Sequence, residues 1–250
     1  ETARNDALRA NVILVETIAN ACEVAGVPWG HVSSGCIYAG AKLQTPGRPL
    51  RIETDLMTAA VRAEWQADAS RLCGFREEDA PNFSFRSPPC SFYSGTKALA
   101  EEALEGRDQV YLWRMRMPFD HLDNPRNYLS KVQTYSRLYD NVNSLSHRGD
   151  FVRTCLSLWE QRAQFGIYNV TNPGWITTRQ VVERLRCAFG SERRFEYFED
   201  DAEFYQVAVA PRSNTVLDTT KLVNAGIAIR SVEEALDDAL KNWQAAHCGL

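Results

Sequence analysis

The chain has 250 residues, of which 44% are hydrophobic and 24% charged, with a formal net charge of −4. That length and apolar share suit one large α/β domain, or two smaller ones, with an ample core. The mild acidity provides no basic patch for nucleic acid and no acidic tail, and no apolar run reaches the ~18 residues of a membrane helix.

Seven cysteines (Cys22, Cys36, Cys73, Cys90, Cys155, Cys187 and Cys248) are scattered without CxxC spacing. An odd, scattered set fits a reducing cytoplasm better than a disulfide framework. His31, His121, His147 and His247 form no HxxxH or HExxH pattern, so no metal site is expected. The opening Glu1-Thr2-Ala3-Arg4 is neither an initiator methionine nor a signal peptide, and reads as the interior of a longer protein.

In chain order, residues 6–25 carry Ala10, Ile13, Leu14, Thr17, Ile18, Ala21 and Val24 at a helical period, with Gly26 where a C-cap glycine belongs. Asn11 lies on this helix. Residues 31–34 read as a short strand turning at Gly35, which puts Ser34, Gly35 and Cys36 at its C-terminal end. Parallel sheets bind ligands there, although plain turn residues fit equally well. Residues 39–90 are broken by Pro46, Pro49, Pro81, Pro88 and Pro89, with a helix expected over 55–72. Phe83, Phe85, Phe92 and Cys90 fit either a pocket or the core.

A helix is expected over 93–106, and it carries Tyr93 and Lys97. Residues four apart share a helix face, and a nearby ammonium favours the phenolate of a tyrosine that otherwise titrates near ~10. The pair is a candidate acid/base unit for making or breaking a carbonyl; taken alone, it is equally a surface pair. Residues 110–117 read as a buried strand despite Arg114 and Arg116. Helices are expected over 127–139 (with Lys131), 151–162, 177–189, 218–225 and 231–247, and a strand over 166–170. Ser231-Val232-Glu233-Glu234 fits a capping box. The alternation argues α/β with a mostly parallel sheet.

Several stretches then match together: Ala10-Asn11-Val12, Ser33-Ser34-Gly35-Cys36-Ile37-Tyr38, Tyr93-x-x-x-Lys97 and Arg114-Met115-Arg116-Met117-Pro118. Gly74-Phe75-Arg76-Glu77-Glu78-Asp79, Asn124-Pro125-Arg126-Asn127-Tyr128, Tyr168-Asn169-Val170-Thr171-Asn172-Pro173-Gly174 and Ala210-Pro211-Arg212-Ser213-Asn214 support them. The chain resembles the extended short-chain dehydrogenase/reductases that act on nucleotide sugars. Within that family it resembles the enzymes that form nucleotide-linked rhamnose by 3,5-epimerisation and 4-keto reduction.

The resemblance implies a Rossmann-like, mostly parallel sheet flanked by helices, with a smaller C-terminal substrate-binding α/β region. Residues 1–118 and 141–171 would be the catalytic part, and 119–140 and 172–250 the substrate region. It implies NADP or NAD as cofactor at Tyr93 and Lys97, a nucleotide-sugar substrate, no nucleic-acid or membrane partner, and a cytoplasmic setting, with a homodimer admitted. Tyr93, Lys97, Ser34 and Asn11 match the family's acid/base set, and Cys36 and Lys131 its epimerising pair. Ser34, Asn127 and Arg212 would contact substrate.

Two departures stand out. No G-x-x-G-x-x-G or G-x-G-x-x-G spacing occurs in the 250 residues, so the first glycine-rich βα units are expected to lie outside them. The stretch 42–72 has no family counterpart and reads as an insertion. Another sugar-nucleotide epimerase or reductase of this fold, or a non-catalytic binding subunit, stays open.

Overall fold

Helical and strand periods alternate along the chain, and in the computed structural model, which describes residues 2–190 and 192–245, they resolve into a parallel sheet with helices on both faces. The chain enters as α1 (Thr2–Leu8), passes through a π-helical turn (Arg9–Ile13) and continues as α2 (Leu14–Ala25). Gly26, in the left-handed region at φ 63°, closes α2 as expected of a C-cap glycine. The helix therefore starts earlier than 6, and it holds an interruption that its apolar period does not announce.

Strand β1 (Trp29–Ser34) follows, then the short strands β2 (Ala41–Leu43) and β3 (Arg51–Glu53), helix α3 (Ala59–Ala67) and β4 (Leu72–Cys73). The helix expected over 55–72 shrinks to α3, because the backbone is extended at Thr58 and again at Asp68. The 42–72 stretch instead forms a small antiparallel sheet, in the order β3-β2-β4, with α3 on it. Its core joins Leu43, Leu56, Val61, Trp65 and Leu72 to Val142 and Val216 from later in the chain. Gly40 admits β3 here: a Cβ on it would lie 1.8 Å from the Glu53 carbonyl oxygen.

Next come α4 (Phe92–Ala103), β5 (Val110–Met115), β6 (Pro118–Phe119), α5 (Tyr128–Thr134), β7 (Arg137–Leu138), β8 (Val142–Asn143) and β9 (Ser146–His147). Then α6 (Arg148–Glu160), β10 (Gly166–Asn169), β11 (Ile176–Thr177), α7 (Thr178–Phe189) and β12 (Glu196–Tyr197). The chain closes with α8 (Asp201–Val207), α9 (Thr220–Asn224) and α10 (Val232–Lys241). The strand expected to 117 stops at Met115, and Met117 takes a positive φ of 38°. The helix expected over 127–139 ends at Thr134 and gives way to β7. The last helix has the expected Ser231 capping box but ends at Lys241; residues 246–250, with His247 and Cys248, lie outside those described.

The main sheet has the order β1-β5-β10, all parallel, with Ser33 opposite Arg114 and Asn169 opposite Arg114 on the other side. Side chains alternate across it. Val110 and Leu112 face α2 and α4, while Tyr111 and Tyr168 face α6 and α9. A separate core around Phe119, Leu129, Val132, Ile176, Leu185 and Leu236 holds α5, α7 and α10 together. The described cysteines are free, and no described helix is long and apolar enough to cross a membrane.

Candidate active site

The C-terminal end of β1 is shaped by one side chain. The Ser34 hydroxyl accepts the Cys36 backbone N–H at 3.2 Å and so caps the single 3-10 turn Gly35–Ile37. The chain leaves the sheet there, with Cys36 buried beneath the turn. Across from it begins α4, N-capped by Ser91, whose hydroxyl accepts the Ser94 N–H at 3.0 Å.

Along α4, Tyr93, Lys97 and Glu101 recur every four residues and share a face. Glu101 fixes that face to the sheet. Its carboxylate accepts Arg114 Nη2 at 2.7 Å, Arg114 Nε at 3.1 Å to each oxygen, and the Ser33 hydroxyl at 2.5 Å, all buried. Tyr93 and Lys97 are thereby held over the end of β1. The Lys97 ammonium donates to the Val32 carbonyl at 3.4 Å and lies 6.0 Å from the Tyr93 ring centre. Ser34 lies beside both the Tyr93 phenol and the Cys36 thiol, and Ser94 lies beside the thiol as well. Asn11, in the π-helical turn, donates to the Thr96 hydroxyl at 3.1 Å, and Thr96 donates in turn to the Tyr93 carbonyl at 2.8 Å. Tyr93, Lys97, Ser34 and Cys36 are thus brought together, with Asn11 bracing the helix behind them.

Burial dominates the electrostatics. It pushes the Cys36 thiol up, against the hydrogen bonds from Ser34 and Ser94 and the charges of Arg116 and Lys97. It also pushes the Tyr93 phenol up, although the residue as a whole stays half-exposed, with Cys36 adding, against Ser34 and Arg116. Lys97 is lowered by burial, against Cys36 and Glu101. The expected depression of Tyr93 by Lys97 is therefore not met: the cation acting on the phenol is Arg116, and burial outweighs it.

Beyond this cluster opens a cavity of about 450 Å³, lined among others by Arg116, Lys131, Arg212, Tyr128, Tyr139 and Phe204. Lys131 reaches it from α5 and Arg212 from the segment after α8. Tyr139 and Phe204 stack at 4.0 Å between ring centres, and the Arg137 guanidinium sits 4.3 Å over Phe198. Cations and stacked rings in one cleft suit an anionic aromatic ligand. Asn127 is fully buried and caps α5, accepting the Leu129 N–H at 3.0 Å and donating to the carbonyls of Asp120 and Leu122 at 2.9 and 2.8 Å. Its amide is engaged by the fold at the start of the helix that carries Lys131. Arg116 was not singled out by the sequence reading, yet it borders both the thiol cluster and the cavity.

No family profile matches the chain. It is 32% identical over 237 residues to the bifunctional dTDP-4-dehydrorhamnose 3,5-epimerase/dTDP-4-dehydrorhamnose reductase of Arabidopsis thaliana, covering 94% of this chain and 69% of that protein. The chain belongs to this rhamnose-forming epimerase/reductase family. A further family relative from the same plant, a trifunctional UDP-glucose 4,6-dehydratase/3,5-epimerase/UDP-4-keto-L-rhamnose-reductase, is 30% identical, and the chain spans 31% of its length. Among solved structures, the L780 UDP-rhamnose synthase of Acanthamoeba polyphaga mimivirus superposes with a TM-score of 0.74 at 22% identity, covering 93% of this chain and 70% of that one. The dTDP-4-dehydrorhamnose reductase of Bacillus anthracis, solved with NADP, gives 0.68 at 15% identity, covering 97% and 74%. These likenesses agree with the Rossmann-like fold of the family.

Proposed function

We propose that the protein converts a nucleotide-linked 4-keto-6-deoxyhexose by 3,5-epimerisation and 4-keto reduction. The observation that carries the reading is the meeting of Tyr93, Lys97, Ser34 and Cys36 at the end of β1, beside a cavity holding Lys131 and Arg212. Residues 119–140 and 172–250 serve as the substrate region on this reading, supported by the core that joins α5, α7 and α10, while Val216, Leu222 and Ile227 tie the range to the rest of the molecule.

Ser34 and Tyr93 hydrogen-bond the C4 oxygen, and Tyr93 passes it a proton as the ketone becomes an alcohol. Lys97 has one long partner for three N–H donors, which fits it to the ribose of NADP or NAD alongside Tyr93. The cofactor supplies hydride to C4. Asn11 keeps the Tyr93 end of α4 in place through Thr96. The C4 ketone acidifies the protons on C3 and C5, and inverting those carbons needs a base on one side and an acid on the other. Cys36 and Lys131 fill those roles, while Arg212 holds the diphosphate.

Epimerisation exchanges carbon-bound protons with solvent, and reduction does not. In deuterated water, with the full-length enzyme and a 4-keto-6-deoxy sugar nucleotide, Cys36→Ala or Lys131→Ala should cut deuterium uptake at C3 and C5 by about 10²–10⁴-fold. Cofactor-dependent reduction should persist in part. Uptake at the unmutated rate in both variants would leave a simple reductase.

A further inference from the structure

Arg114 and Arg116 stand two residues apart, the first within β5 and paired with Glu101 of α4, the second just past the strand's end. Their surroundings differ. Arg114 is matched by Glu101 in a bidentate pair, Nε to one carboxylate oxygen and Nη2 to the other. Arg116 is 7% exposed, and its Nη2 donates to Asn143 Oδ1 at 2.6 Å and to the Ser213 carbonyl. Both acceptors are neutral. Its Nε is buried without a hydrogen-bond partner, and among the described residues its guanidinium forms no ion pair with a carboxylate. Burial pushes it down to about 10, with Cys36, Tyr128 and Tyr93 as the groups that favour its charge.

A buried guanidinium without a counterion costs a fold stability, and such groups cluster at functional sites. What it faces indicates the use. The titratable groups around Cys36 are Arg116 from beyond β5, Lys97 and Tyr93 from α4, and Cys90 from the loop before α4. Tyr128 meets Arg116 from α5. Arg116 also lines the cavity with Lys131 and Arg212. It thus borders the cavity while its charge acts on the thiol.

We propose that Arg116 is the counter-charge of epimerisation, stabilising the Cys36 thiolate before proton abstraction and the enolate oxygen after it; this rests on the epimerase reading above. The Cys36 thiolate takes a proton from C3 or C5. The C–H pair becomes the ring C=C bond, and the C=O pair moves onto the C4 oxygen. The sulfur ends neutral and the oxygen negative. The Lys131 ammonium then returns a proton from the other side, and the carbonyl re-forms. One negative charge moves from sulfur to oxygen, so a fixed cation serves both ends without reorganising.

The test begins without substrate. In the full-length protein, the ultraviolet absorbance of the Cys36 thiolate is titrated as the difference from Cys36→Ala. Arg116→Met should raise the midpoint by about 1 pH unit or more, within the range an adjacent opposite charge produces. Arg116→Lys should recover part of that shift. Arg116→Met should also slow deuterium uptake at C3 and C5 by at least about 10-fold near neutral pH, one factor of ten per unit of lost thiolate. Should Arg116→Met melt early, Arg116→Gln replaces it. An unmoved midpoint in a folded variant overturns the role of Arg116. If instead Cys36→Ala takes up deuterium at the unmutated rate, the epimerase reading fails, and the thiolate midpoint still decides whether Arg116 stabilises that sulfur.

Discussion

Replacing Glu101 with alanine should damage the site from a distance. The substitution strands Arg114, which is 2% exposed, with the Glu77 carbonyl at 3.3 Å as its remaining acceptor. It also removes the 2.5 Å acceptor of the Ser33 hydroxyl. Breaking a buried ion pair from one side costs about 3–5 kcal/mol, and a stranded buried hydroxyl adds about 1–3 kcal/mol. Taking the lower ends, we expect Glu101→Ala to lose about 4 kcal/mol, or roughly 8–16 °C in Tm for a chain of this size. The helix face carrying Tyr93 and Lys97 loses its tether as well, so kcat/KM for reduction should fall, on the order of 10²-fold for a displacement near 1 Å. The triple variant Ser33→Ala/Glu101→Leu/Arg114→Met removes every partner at once and should melt far closer to the unmutated protein. Thermal melts followed by circular dichroism, with reduction assayed on the same samples, provide the measurement. A Glu101→Ala protein melting within about 2 °C of the unmutated one would refute the reasoning, since that bounds the loss near 1 kcal/mol.

Tyr93→Phe should lower 4-keto reduction by about 10²–10⁴-fold while leaving sugar-nucleotide binding by calorimetry nearly unchanged; near-normal kcat would remove Tyr93 from the role of proton donor. Asp150 is a pH-dependent clamp. Burial alone would raise it, but hydrogen bonds with His147, Arg230 and Asn172 hold its carboxyl well below the usual range. Because its folded value is depressed, its contribution is present above the unfolded value of about 3.9 and is lost as pH falls toward the folded one. The Tm gap between the unmutated protein and Asp150→Asn should therefore narrow as pH is lowered from about 5, and a constant gap would contradict this.

Legibility in the sequence followed local chemistry. Gly26 and Ser231 act through their own neighbours, so both caps stood out. The turn after β1 and the Tyr93/Lys97 face of α4 were legible for the same reason. What depended on partners far along the chain was not. Nothing near Asn127 in the sequence indicates that its amide is engaged by the carbonyls of Asp120 and Leu122. Arg114 and Arg116 look alike in sequence, and only the placement of Glu101 separates a paired guanidinium from an unpaired one. The 55–72 helix was overdrawn because apolar spacing continued where the backbone turns extended at Thr58 and Asp68.

The π-helical turn at Arg9–Ile13 has a consequence for any change in chain length there. In that turn the Leu14 N–H reaches back five residues to the Arg9 carbonyl, which amounts to one residue more than an α-helix accommodates. Deleting a single residue from it would let the helix close into ordinary α geometry. Everything upstream would then swivel by about 100° about the helix axis, the angle one residue subtends. Asn11 would turn away from Thr96, and α1 would present a different side to α4. α2, β1 and the whole parallel sheet would stay where they are. The bulge works as an angular setting: it decides which side chain of the entering helix braces the Tyr93 end of α4, and a one-residue deletion would reset it without touching the core.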